Sequence, residues 1–292
     1  MARFGFYKTL SSGTQVPALA FGTGTALFNQ PATEQATLAL SVGINHIDAA
    51  QMYGNEASLK GPISSVPRSE LFITTKLHLL AGARTVKERL QAELRDLGVD
   101  YVDLYLVHTP VPWTKKQEGM DLKQVWKGME ECKKLGLAKE IGVSNFRLKD
   151  FDAIWEEAEI KPIVNQIEFH PYVYESIQPL LEFHKKHNIF TESFGGQSAA
   201  FRLPDGPVSA LIPAIQERLK KESGKEVSAN AVYMRWLDKK GVIVVTTSSK
   251  KERIQEFMAT FELPELTDEE ERSIDEAAKN VHKRFYMRHM DE

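Results

Sequence analysis

The sequence predicts an α/β fold: a (β/α)8 TIM barrel with an extra C-terminal helix and loops over the barrel mouth. Three observations predict it. Eight short apolar runs of β type recur along the chain, helical apolar periods separate them, and no linker or composition break divides the 292 residues, so one domain spanning residues 1–292 is expected. Repeated strand–helix alternation calls for a parallel sheet with right-handed crossovers. Eight such units favour closure, and barrels often reach this length as one domain.

In chain order the β-type runs are residues 17–22, 44–49, 71–76, 102–108, 141–143, 163–167, 189–193 and 242–246. They are nearly continuous in apolar residues, as suits parallel strands covered on both faces. Between them Val86, Leu90, Leu94 and Leu97 recur at helical spacing, as do Leu122, Val125, Met129 and Cys132, then Phe151, Ile154, Trp155 and Ala158, then Ile254, Phe257 and Met258. Each set makes an apolar stripe on one helix face. Gly98, Gly136 and Gly241 fall where helices should stop, because glycine accepts the left-handed cap conformation. Thr267 with Glu270 is a capping-box signature and opens a last helix carrying Ile274, Ala278 and Val281. Two segments break the alternation: residues 195–223, with Pro204, Gly206, Pro207 and Pro213, and the tail after Lys279. Both are expected as loops over the mouth.

Composition narrows the function. With 37 basic and 40 acidic residues the chain is nearly neutral, which offers nothing to nucleic acid or an acidic membrane. Its one cysteine, Cys132, excludes an internal disulfide and is expected to pack within a helix. No run of membrane-spanning length and no apolar leader are visible. The expected setting is the cytoplasm, as a monomer or homodimer.

Three polar groups end consecutive apolar runs: Asp48, followed at Tyr53 by a tyrosine, then Lys76, then His108. Alternation along a strand puts His108 on the face of Leu104 and Leu106, and neighbouring strands about 4.8 Å apart bring the three ends to one mouth. An ammonium beside a phenol favours phenolate and is expected to lower the phenol's pKa. Asp48 would hold Lys76 charged, and His108 would orient a carbonyl oxygen. Such a proton-donating oxyanion site requires a source of hydride. Asp103 and Glu168, inside strand runs, are expected to be structural or helix-facing, and His46 to brace its strand. His170, His184 and His187 lack partners at ligand spacing, so no metal is expected. The run Gly22-Thr23-Gly24-Thr25 lacks the third glycine of a dinucleotide fingerprint; its glycines are read as permitting close backbone approach.

The residues 47–56 (Ile-Asp-Ala-Ala-Gln-Met-Tyr-Gly-Asn-Glu), 72–77 (Phe-Ile-Thr-Thr-Lys-Leu), 106–110 (Leu-Val-His-Thr-Pro), 141–146 (Ile-Gly-Val-Ser-Asn-Phe) and 164–172 (Val-Asn-Gln-Ile-Glu-Phe-His-Pro-Tyr) resemble, in order and spacing, the aldo-keto reductase superfamily over nearly the whole chain. The resemblance implies NADPH-dependent reduction of aldehydes, ketones or dicarbonyls. Tyr53 would be the general acid, tuned by Lys76 and Asp48, and His108 would orient the substrate. It further implies cofactor contacts from Gly22, Thr23, Asp48, Ser144, Asn145, Gln166, Phe194, Gln197, Ser248, Lys250 and Arg253, and a substrate pocket involving Phe28 and Trp113. Two departures stand out. Phe194-Gly195-Gly196-Gln197 replaces the usual Tyr-Ser-Pro-Leu, and Thr247 takes the place of a lysine that normally helps hold the adenosine phosphate. Arg253 matches the arginine facing the 2′-phosphate, a charge-assisted contact that selects NADP. The Thr-Thr-Ser variant is similar to the fungal branch of conjugated-polyketone, ketopantoyl-lactone and α-keto-amide reductases. The alternative function is a cofactor-binding regulatory barrel with little turnover, against which the intact Asp48, Tyr53, Lys76 and His108 argue. A metal-dependent hydrolase lacks a ligand cluster.

Overall fold

A computed structural model describes residues 3–78, 85–111 and 121–292. A short antiparallel hairpin, β1 (Tyr7–Thr9) and β2 (Gln15–Pro17), precedes the barrel. Then follow β3 (Leu19–Gly22), α1 (Thr33–Val42), β4 (His46–Asp48), α2 (Lys60–Ser64), β5 (Phe72–Leu77), α3 (Val86–Leu97), β6 (Val102–Val107), α4 (Leu122–Lys134), β7 (Ala138–Ser144), α5 (Leu148–Trp155) and β8 (Val164–Glu168). The second part holds α6 (Pro171–Tyr174), α7 (Gln178–His187), β9 (Phe190–Phe194), α8 (Ser198–Arg202), α9 (Ile212–Ser223), α10 (Ala229–Lys239), β10 (Ile243–Thr246), α11 (Lys251–Thr260) and α12 (Asp268–Ala278). Strands β3 to β10 are parallel to their neighbours and close on themselves, β10 pairing with both β9 and β3.

All eight expected runs are strands of this barrel. The reason is visible in the alternation of their side chains. Phe72, Leu104, Leu106, Val164 and Ile243 pack inside the barrel, whereas Ile73, Tyr105, Val107, Ile167 and Val244 face the surrounding helices. The hairpin closes the lower end, with Leu10 and Val16 joining the interior cluster. Gly98, Gly136 and Gly241 all adopt left-handed φ, at +72°, +72° and +77°. Thr267 and Glu270 form the expected capping box at the start of α12. The expectation for residues 195–223 needs correction: they contain α8 and α9 as well as loop. Pro213 stands in the first turn of α9, where its missing N–H costs nothing and its fixed φ suits a helix.

Structural readings of the remaining polar residues hold. Asp103 binds Arg68 at 2.5 Å, Lys139 at 2.9 Å and the Ile73 N–H at 2.9 Å. His46 Nε2 lies 2.9 Å from Thr74 Oγ1 within the wall. Cys132 is buried, and burial pushes its thiol up to about 12. Glu168 is fully buried, and it holds the tail. Its two oxygens accept from the N–H groups of Phe285 (2.8 Å) and Tyr286 (2.9 Å) and it is 3.0 Å from His170 Nε2. Farther along, Arg147 Nη1 donates to the His289 carbonyl at 2.9 Å, and His289 Nε2 lies 3.0 Å from the Asn145 carbonyl. The tail is thereby drawn across the mouth, as expected.

Behind β5 and β6 lies a buried acid cluster. Thr75 Oγ1 donates to Glu56 Oε1 at 2.5 Å, and the two oxygens of the buried Glu93 on α3 have no hydrogen bond of ordinary geometry among the described residues. Burial pushes Glu56 up to about 7; burial and the charge of Glu56 push Glu93 well above the ordinary carboxylate range. A carboxyl that holds its proton more tightly when folded loses stability as pH rises from its unfolded pKa through its folded one. Replacing Glu93 by Gln is therefore expected to raise the thermal midpoint by about 2 °C or more at pH 8. The gain should shrink towards pH 4.5, and calorimetry at the two pH values checks it.

Candidate active site

Strand β4 ends at Asp48, and the chain turns at once through a 3-10 turn, Gln51–Tyr53, closed by Gly54 at φ +66°. The turn is tied to the loop after β3. The Asn29 N–H donates to the Tyr53 carbonyl at 2.8 Å, and Asn55 Nδ2 donates to the carbonyls of Thr23 and Leu27, each at 2.8 Å. This staple lays the phenol ring of Tyr53 on the backbone of Gly24. A Cβ on Gly24 would stand 2.7 Å from Tyr53 Cζ, closer than side chains approach.

Below the phenol lies a buried ion pair. Lys76, fully buried inside β5, donates to Asp48 Oδ1 at 2.6 Å and to the Ala49 carbonyl at 3.0 Å. Asp48 Oδ2 accepts from Gln166 Nε2 of β8 at 2.7 Å. The ammonium sits 5.3 Å from the centre of the Tyr53 ring, and the His108 ring meets Tyr53 edge-on at 5.6 Å. Asp48, Tyr53, Lys76 and His108 thus meet at the C-terminal end of the barrel, where such folds place function.

Their protonation follows from burial and charge. Burial works against the Lys76 ammonium, but Asp48 and the Tyr53 oxygen outweigh it and raise its pKa. Burial, with help from Lys76 and His78, holds His108 well below the usual imidazole range, so the ring is neutral at physiological pH. For Tyr53 the expected depression is corrected. Burial pushes the phenol up, and the opposing pull of Lys76 offsets only part of that. The phenol therefore keeps its proton at neutral pH, and Lys76 supports the anion left when that proton departs.

Asp48, Tyr53 and His108 line a cavity of about 460 Å³, with Lys76 buried behind them. Gly22, Ser144, Asn145, Gln166, Phe194, Gln197, Val245 and Thr247 occupy its deeper walls, and Phe28, Met52, Phe201, Tyr286 and Met287 surround the opening. The site fits a nicotinamide carboxamide. Asn145, at φ +59°, gives its Nδ2 to the His108 carbonyl at 2.9 Å, and its buried Oδ1, which has no partner among the described residues, could accept from an amide donor. Gln197 Nε2 is likewise buried and unpartnered, its Oε1 accepting from Thr246 Oγ1 at 3.0 Å. Beyond β10, Ser248 Oγ accepts from the Lys250 N–H at 3.1 Å at the start of α11. There Lys250, Lys251 and Arg253 are exposed, and among the described residues none of them is paired with a carboxylate. A helix N-terminus with three cations suits an adenosine phosphate. Thr23 differs from its expected part: its hydroxyl is turned into the wall towards the Asp48 carbonyl, 3.3 Å away. Phe28 does border the cavity, its ring 6.5 Å from that of Tyr53. Trp113 lies outside the described residues. The close approach expected of the glycine run is seen at Gly24 against Tyr53, whereas the sequence did not single out Met52, Phe201, Tyr286 or Met287. An aromatic in a loop carries no spacing signal, and only the glycine run hinted at close approach.

The model of the aldo/keto reductase family matches residues 18–279. The NAD/NADP-dependent indole-3-acetaldehyde reductase of Schizosaccharomyces pombe is 38% identical over 289 residues, covering 96% of this chain and 98% of that protein. The NADPH-dependent alpha-keto amide reductase of Saccharomyces cerevisiae is 36% identical over 284 residues, covering 90% and 88%. A Bombyx mori aldo-keto reductase solved in complex with NADP superimposes with a TM-score of 0.79 at 29% identity, covering 94% and 93%.

Because Gly24 and Tyr53 are in contact, Gly24→Ala is expected to displace the phenol and lower kcat about 10- to 100-fold. NADPH binding, followed by fluorescence, should stay within about twofold, since Tyr53 is not among the residues expected to hold the cofactor.

Proposed function

The chain belongs to the aldo/keto reductase family, and from that premise we propose that it reduces uncharged aldehydes or ketones bearing an aromatic or other apolar group, with NADPH as reductant and Tyr53 as general acid. The observation that carries the acid's identity is geometric: the Tyr53 phenol borders the cavity with the buried Lys76 ammonium 5.3 Å from its ring centre, placed to support the phenolate left behind.

NADPH, when bound, supplies a hydride to the carbonyl carbon. Asn145, Ser144 and Gln166 would hold its carboxamide, Phe194 its ring, and Lys250 and Arg253 its phosphate. The chain's own residues do the rest. His108 donates a hydrogen bond that fixes the direction of the carbonyl oxygen. Tyr53 gives its proton to that oxygen as negative charge develops there. Lys76, held by Asp48, steadies the phenolate that remains. The departure from lysine at Thr247 removes one cation from the phosphate end. Lys250, Lys251 and Arg253 at the start of α11 support a preference for NADPH nonetheless.

The substrate class rests on the rim. Phe28, Met52, Phe201, Tyr286 and Met287 offer apolar surface, and among the described lining residues none is Lys or Arg. A substrate carboxylate would find no counter-charge among these described lining residues, and Asp48 is one of them. The single cysteine, buried, suits a reducing compartment such as the cytoplasm.

Tyr53→Phe is expected to lower kcat by about three orders of magnitude or more while NADPH binding persists. It tests the acid more cleanly than a change at Lys76, because breaking a buried ion pair costs about 3–5 kcal/mol of stability. Near-normal turnover by the Phe variant would eliminate Tyr53 as the donor. A panel of matched aldehydes, each assayed with NADPH and NADH, tests the substrate class. A neutral aromatic aldehyde should exceed its carboxylate-bearing analogue at least about tenfold in kcat/KM, and the reverse order would refute the reading of the rim.

A further inference from the structure

Strand β9 places a second acid beneath the site. Phe190 packs against the barrel interior and Phe194 borders the cavity. Glu192, between them in a strand whose side chains alternate, therefore points inward as they do. Its register partners are Gln166 on β8 and Ile243 on β10. It is fully buried, and neither carboxyl oxygen has a hydrogen-bond partner at ordinary geometry. The Gln166 carboxamide that faces it is the group whose Nε2 binds Asp48, and Asp48 in turn binds Lys76. Ile243 contributes no charge, so the charges it feels come from Asp48 on β4 and Lys76 on β5.

We propose that Glu192 is a positioning residue of this site, a buried acid whose own proton sets the charge felt by Asp48, Lys76 and Tyr53. The proposal rests on Tyr53 being the acid. An ionised Glu192 would be a second anion beside Asp48, drawing on the same Gln166 Nε2 that already donates to Asp48. Its charge would favour protons on both Lys76 and the Tyr53 phenol. Burial, reinforced by Asp48 and opposed by Lys76 and Gln166, pushes the Glu192 carboxyl up to about 8. Near neutrality it is therefore mostly the neutral acid, which leaves Asp48 as the sole counter-charge of Lys76. As pH rises through that range Glu192 ionises, and its charge holds the proton on Tyr53. The reducing form of the site thus survives to higher pH than the Lys76 ammonium alone would allow.

The sign of the test follows. Removing the charge lets the phenol ionise at lower pH. Carbonyl reduction needs the phenol, so its alkaline limb moves down in pH; alcohol oxidation needs the phenolate, so its rising limb moves down too. Single-turnover rates in both directions, from about pH 6 to 11.5, are measured for the holoenzyme, Glu192→Gln and Glu192→Met. Both limbs are expected to fall by about half a pH unit or more in each variant. A purely structural role would lower the amplitudes and leave the midpoints in place, and that result, or midpoints coincident with the parent enzyme, overturns the proposal. If the Glu192→Met variant does not fold, as judged by NADPH binding, the isosteric Glu192→Gln variant decides. Tyr53→Phe run alongside separates the two readings. Full activity there removes the assigned acid, whereas an inactive Phe variant with unmoved Glu192 profiles removes only the role of Glu192.

Discussion

An ammonium with no access to water, Lys76, must have a counter-charge, and Asp48 is that charge. The desolvation cost of such a pair is recovered only with short contacts and hydrogen bonds to the remaining polar atoms. The protein supplies them from three directions: Asp48 Oδ1, the Ala49 carbonyl, and Gln166 on the far side of Asp48. Asp48 and Lys76 belong to neighbouring strands, but Gln166 reaches Asp48 from β8, so the full set of contacts is complete only when the barrel is closed. The catalytic floor is in this sense a property of the whole barrel.

A hierarchy of protonation follows from one buried cation and one buried anion at the same spot. His108 stays neutral because a second cation beside Lys76 in a dry site is unfavourable. Tyr53 stays protonated because burial penalises phenolate more than Lys76 favours it. The ordinary expectation that a nearby ammonium makes a phenol acidic captures the sign of one contribution and misses the larger one. For a carbonyl reductase this ordering is useful. The donor is loaded before reaction, and the cation that stabilises its conjugate base is already in place, with no reorganisation needed.

The mouth is built by different means. Glu168, deep in the wall, accepts the N–H groups of Phe285 and Tyr286, and Arg147 and His289 fasten the end of the tail to the segment that carries Asn145. Tyr286 and Met287, which line the cavity, are therefore carried by chain anchored to the segment that holds Asn145. A buried carboxylate that binds backbone N–H groups fixes a loop as firmly as a strand pairing would, without requiring any particular rim residue. The rim can vary while its anchor stays.

The eight strands were legible because both of their faces are buried, which writes an apolar run into the sequence. Asp48, Lys76 and His108 were legible because each ends such a run. The same logic explains what was not legible. Helix α10 has no stripe to find, since Ala231 to Leu237 are all buried, and α9 was hidden by prolines that read as loop. The hairpin strands are three residues each, too short for a period. Sequence alone determined that Asp48, Lys76 and His108 end successive strands and that His108 shares the face of Leu104 and Leu106, because alternation is local. The tertiary structure decided which of those groups keeps its proton, what the Tyr53 ring rests on, and that Glu192 lies beneath Gln166. Those depend on distances across the barrel and on the exclusion of water, and neither exists until the sheet has closed.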